Sequence, residues 1–142
     1  MIDYTFDPYV GVHSVMFGMS PPEIEAILGP PTSIATTFVS GEREEFRGTL
    51  TIRYSAHDPQ VVEIALVPPA GLIFDDADLF KHDDVIAFLS RYDRPLESVG
   101  FVVFLKLGIM MTGFHDHDDS QKAIVAFRKG RMDESLKHFK PL

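Results

Sequence analysis

The chain has 142 residues, 45% of them hydrophobic, enough to fold as one domain that buries roughly 70% of the surface its unfolded state exposes. It contains no cysteine, which excludes structural disulfides, thiolate catalysis and thiolate zinc sites. The formal net charge of −8 disfavours nucleic-acid backbones, which are held by Lys and Arg, and fits either plain solubility or steering towards a basic protein partner.

Residues 1–13 show neither the basic nor the apolar region of a secretory signal. The most apolar run, residues 101–111, is broken by Lys106 and Gly108 and falls short of the ~20 residues a membrane span needs. The expectation is a cytoplasmic protein that does not enter a membrane.

After a short β-like stretch from residue 9, the first helix is specified residue by residue. Ser20 is a natural N-cap, Pro21 sits at N1 where its missing N–H costs nothing, and Glu23 at N3 completes a capping box. Met19 is placed to staple onto Ile24, and Gly29 followed by Pro30-Pro31 ends the helix. A strand is expected near 34–40, joined through the charged loop Gly41 to Glu45. Residues 49–55 then alternate cleanly, with Leu50, Ile52 and Tyr54 on one face. His57 to Gln60 reads as a turn, and 61–67 follows as a strand with Val62, Ile64 and Leu66 facing in. One covered and one wet face is the mark of an antiparallel sheet.

After Pro68-Pro69-Ala70-Gly71 the same order returns. Residues 71–74 read as a short strand and 83–92 as a helix capped by Asp83 or Asp84. Residues 101–106 and 108–114 read as a hairpin or one strand kinked at Gly108, and 123–129 closes the sheet. The stretch 131–142 is left as either a terminal helix or a frayed end. Ile24, Ile27 and Leu28 align with Val85, Phe88 and Leu89 at a constant offset. The expected fold is therefore α+β, in two similar halves (1–67 and 71–142). Each half would be an antiparallel sheet with a helix packed on one face, the whole forming one compact domain.

The segment 18–31 resembles the helix signature of SmpA/BamE-type outer-membrane assembly lipoproteins through Gly18, Met19, Ser20, Glu23, Leu28, Gly29 and Pro31. The doubled plan is similar to the tandem helix-plus-sheet modules of the β-lactamase-inhibitor-protein type. These resemblances imply a non-catalytic protein-binding module, and size and acidity extend the analogy to immunity-type inhibitors of bacterial toxins. There is no lipid-accepting Cys and no disulfide pair, so only the architecture carries over.

No P-loop, dinucleotide fingerprint or nucleophile elbow is present, so no cofactor is implied and no catalytic residue stands out. His115 and His117, alternating with Asp116, Asp118 and Asp119, are the candidate ligands for a metal-dependent activity, the alternative reading. A run so polar is also what an exposed turn looks like. Asp75, Asp76, Asp78, Asp83 and Asp84 with His82 form a second acidic group, where helix capping competes with acid–base chemistry. His13 and His57 read as packing or turn residues. Met110 and Met111 with Phe101, Phe104 and Phe114 are either core or an adaptable apolar surface for a small ligand. The expected partner contacts are exposed acidic loops: Glu42, Glu44 and Glu45, Asp75 and Asp76, and Asp116, Asp118 and Asp119.

Overall fold

The computed structural model describes residues 3–38, 40–114 and 121–142. In chain order the elements are β1 (Asp3–Asp7), β2 (Gly11–Val12), β3 (Val15–Met16), α1 (Pro21–Leu28), β4 (Ser33–Thr36), β5 (Arg43–Arg47), β6 (Leu50–Tyr54) and β7 (Val61–Leu66). There follow β8 (Gly71–Phe74), β9 (Ala77–Asp78), α2 (Val85–Leu89), β10 (Leu96–Ser98), β11 (Phe101–Phe104), β12 (Ile109–Thr112), β13 (Ala123–Phe127) and β14 (Lys140–Pro141). The fold is α+β and mostly sheet.

The α1 start is the capping box that its residues require. The Ser20 amide donates to Glu23 Oε1 over 3.0 Å, and the Glu23 amide returns a bond to Ser20 Oγ over 3.4 Å. Gly29 ends the helix at φ 79°, a conformation open to glycine. Asp84 caps α2, accepting from the Ala87 amide. α2 is shorter than the predicted 83–92, because the backbone tightens into turns after Ser90, before Pro95.

Two sheets form the body. The larger runs β14-β10-β11-β12-β13-β7-β6-β5-β4 and is antiparallel throughout. The smaller runs β3-β2-β1-β8-β9, antiparallel except where β1 and β8 pair in parallel. Strands from either side of Pro68 meet in both, at the β7–β13 and β1–β8 seams. The expectation of a separate sheet for each half is thereby corrected. Joining the two four-stranded runs lets one core serve all strands.

That core lies between the sheets. Leu50, Ile52, Tyr54, Ile64, Leu66, Ile109, Met111 and Ile124 line the inner face of the large sheet, and Phe6, Val12 and Leu72 line the small one, with Ile24, Val85 and Leu89 inserted from the helices. The predicted alternation of 50–54 is observed. In β7 a bulge pairs Arg53 with Glu63 and Tyr54 with Val61, leaving Val62 as the extra residue, so both valines are buried. The 101–114 region is a hairpin. Gly108 turns it at φ 73°, where a Cβ would come 2.9 Å from the Tyr9 ring.

A second, smaller core sits on the outer face of the large sheet, where Val103, Phe127 and Met132 pack with Tyr9, Leu136 and Phe139. The stretch 131–142 is neither a helix nor frayed. It makes one 3-10 turn, Leu136–His138, and ends as β14 paired to β10.

Candidate interaction face

Sequence reasoning placed Glu42, Glu44 and Glu45 on an exposed acidic loop, and the structure corrects this. Glu44 and Glu45 belong to β5, Glu42 immediately precedes it, and Glu42 and Glu45 are buried while Glu44 is half-buried. β5 is a strand whose inward residue is a carboxylate. The period-2 pleat sends Arg43, Glu45 and Arg47 to the inner face, opposite Tyr54, Ile52 and Leu50.

Glu45 is only 1% exposed. Its carboxylate accepts from Arg43 Nη2 at 2.5 Å, Arg47 Nη1 at 2.8 Å and the Tyr54 hydroxyl at 2.8 Å. Burial pushes the Glu45 carboxyl up, but the bonds from Arg47, Tyr54 and Arg43 outweigh it and hold the group below its ordinary value. Arg47 also donates to the Gly29 carbonyl at 3.1 Å, so the last turn of α1 is tied to the sheet through the same cluster.

On the outer face, Arg53 donates to Glu44 at 2.6 Å and to Glu63 at 2.9 Å. Arg131, from the C-terminal segment, reaches Glu63 at 2.7 Å and grips Glu42 with both terminal nitrogens. Its bond to Glu42 holds that carboxyl below its ordinary value. Glu42, Glu44, Glu45 and Glu63 are thus matched by Arg43, Arg47, Arg53 and Arg131, and the local charge is neutral. A group of carboxylates this well paired cannot steer a basic partner.

The same outer face carries an apolar strip. Two depressions, of about 380 Å³ and 300 Å³, meet at Phe101 and Met110. The first has a floor of Thr51, Ala65 and Val125 and a wall made by Arg53 and Glu44. Arg53 Nε lies buried without a hydrogen-bond partner there, alone in this respect among the described side chains. The second opens to the β10–β11 turn, where Val99 is 91% exposed and Phe101 39% exposed. Val99 and Gly100 both have positive φ, 48° and 88°, as a two-residue hairpin turn demands. A β-branched residue at positive φ is strained, and here its side chain is held out to water.

Of the apolar residues singled out in the sequence, Phe104, Met111 and Phe114 are core, whereas Phe101 and Met110 line this face. The signal was the strand alternation itself.

Asp75 and Asp76 are exposed, forming the two-residue turn between β8 and β9 at φ 49° and 63°, with Asp75 accepting from the Tyr92 hydroxyl. Asp78 accepts from the Phe80 amide and Asp84 caps α2, so these acids serve turns and caps. His115, Asp116, His117, Asp118 and Asp119 lie outside the described residues. Among the described residues no group of three or more His, Asp or Glu is placed to hold a metal ion, and no helix is long and apolar enough to cross a membrane.

No family model, curated protein or solved structure matches this chain.

Proposed function

We propose that this chain is a non-catalytic protein-binding module whose contact surface is the outer face of the large sheet, centred on Phe101, Met110 and Val99. One observation carries the reading: the β10–β11 turn holds Val99 at positive φ and 91% exposed, beside the half-covered Phe101. Stability is given up to present apolar side chains to solvent, which is the energetic pattern of a binding tip. Phe, Met and Arg are the residue types enriched in the centres of protein interfaces, and the paired Arg53–Glu44 wall would form the polar border.

The acidic balance has a narrower place in this reading. Asp75 and Asp76, exposed at the β8–β9 turn, remain available for long-range steering of a basic partner, whereas Glu42, Glu44 and Glu45 serve as structural ion pairs. An immunity-type inhibitor that covers the working surface of a toxin is the form of partner binding that this acidity favours.

We also read the fold as two similar halves. In each, a pair of small-sheet strands (β1 and β2; β8 and β9) precedes a helix and four strands of the large sheet (β4 to β7; β10 to β13). The β1–β8 and β7–β13 seams join the corresponding strands of the two runs, the first in parallel and the second antiparallel.

The test is affinity capture by the tagged chain from its native cells, beside a Phe101→Arg variant. A protein retained by the native chain and lost with Phe101→Arg supports the reading. Equal retention by both overturns the assignment of the face.

A further inference from the structure

The large sheet has two edges, and they are built differently. At one, β14 is Lys140-Pro141, where proline lacks an N–H and lysine brings a charge; both blunt an edge against further pairing. At the other, β4 is Ser33-Ile34-Ala35-Thr36, exposed at every residue and with no charge. Residues 26–41 contain no Asp, Glu, Lys or Arg, in a chain that is 24% charged. An uncharged, exposed edge is a template for strand addition.

Two further features flank this edge. Phe38, just beyond β4, is fully exposed. Between α1, β4 and the Pro59 turn lies a cavity of about 500 Å³, with Pro21, Pro31, Ile34 and Pro59 on its walls beside the charged Glu25, Arg43, Glu45 and Asp58. Ile34, on its rim, is 53% exposed.

We propose that β4 pairs antiparallel with β4 of a second copy of this chain, across a twofold axis at Ala35. The occupant is the chain itself because it supplies both halves of the contact, a fully exposed aromatic and a cavity whose proline and isoleucine walls could receive it. They lie towards opposite ends of the same strand, the arrangement that a twofold makes self-complementary. With Ala35 on the axis, Ile34 faces Thr36 of the second copy, and Phe38, in the turn just past the strand, lies towards the end of the second strand where Pro31 and Ile34 line the cavity. Two acidic molecules repel at most surfaces, and the paired strands themselves, within residues 26–41, carry no charge; at the cavity the second copy meets both signs, Arg43 beside Glu25, Glu45 and Asp58.

The experiment uses the full chain in sedimentation equilibrium, with three variants. The native chain is expected to be a dimer at micromolar concentration. Ala35→Lys sets like charges opposite each other and is expected to give a monomer with unchanged circular dichroism and melting, since Ala35 is exposed. Phe38→Ser is expected to weaken the dimer about tenfold or more. Ala35→Cys provides the chain's single thiol. Facing strands put its Cα about 4.5–5.5 Å from its twin, within disulfide reach, so mild oxidation should yield a covalent dimer. A native monomer, a dimer that Ala35→Lys leaves intact, or an Ala35→Cys protein that does not cross-link would each overturn the proposal. A monomer that adds only the strand of a different protein overturns it too.

Discussion

Tyr54 donates its hydroxyl hydrogen to the Glu45 carboxylate over 2.8 Å, joining β6 to β5 through two side chains that are both out of water. The bond closes the coordination of a carboxylate already held by Arg43 and Arg47. A buried charge is tolerated only when every partner is present, so this corner of the core is sensitive to single changes. Glu45→Ala leaves Arg47, itself nearly buried, without its counter-charge and is expected to cost about 3 kcal/mol. Tyr54→Phe keeps the ion pairs and removes one charged hydrogen bond, for an expected loss of about 1.5 kcal/mol. Urea unfolding of the two variants measures both, and equal losses would contradict the hierarchy.

The same pairing fixes the response to acid. Glu42 and Glu45 both titrate below their ordinary value of 4.5 in the folded state. Their contribution is therefore complete above about pH 4.5, and it is lost as pH falls through the lower folded-state values. Stability against urea should fall steeply below that point. Glu45→Gln should start from a lower plateau and lose less on acidification. A variant with the native slope would show that Glu45 is not among the groups taking up protons.

The α1 cap yields a separate expectation, since Ser20 touches neither ion-pair cluster. Ser20→Ala removes the acceptor for the Glu23 amide and should lower stability by about 1 kcal/mol. Ser20→Asp should retain most of it. Thermal melts of the two variants decide the matter, and an unchanged melt for Ser20→Ala would mean that the helix start is held by something other than its cap.

At the β10–β11 turn the expected sign is reversed. Val99 at φ 48° is replaced without steric penalty by asparagine, which tolerates that region and precedes Gly100 in the preferred hairpin pair. Val99→Asn should stabilise the chain by about 1 kcal/mol, because a left-handed β-branched residue costs about that much and the exposed side chain packs little. The same substitution should weaken partner capture. A gain in stability with undiminished capture would remove Val99 from the contact.

Much of the framework was legible in the residues. Ser20, Pro21 and Glu23 determine a helix start by local chemistry, and Leu50, Ile52 and Tyr54 declare a half-buried strand by alternation alone. β5 was hidden because its inward residue is Glu45, so its hydrophobic pattern is inverted. It becomes a strand only when Arg43, Arg47 and Tyr54 neutralise that position. β1 was hidden because Phe6 is its one buried side chain, and β4 is exposed throughout. The paired state of Glu42 was out of reach for another reason: Arg131 lies 89 residues away in the chain. Local sequence reports charge, and only the fold reports whether that charge is spent. The candidate face was half visible, since Phe101 and Met110 were singled out, but their separation from Phe104 and Met111 required the sheet's two faces.

The most direct measurement is hydrogen exchange on the native chain with and without its captured partner. Amides of 98–103 and 109–112, together with β6 around Thr51 and Arg53, should gain protection in the complex, while the β8–β9 turn at Asp75 and Asp76 should change little. Protection confined to the Asp75–Asp76 turn, or no captured partner to measure, would contradict binding through the outer face.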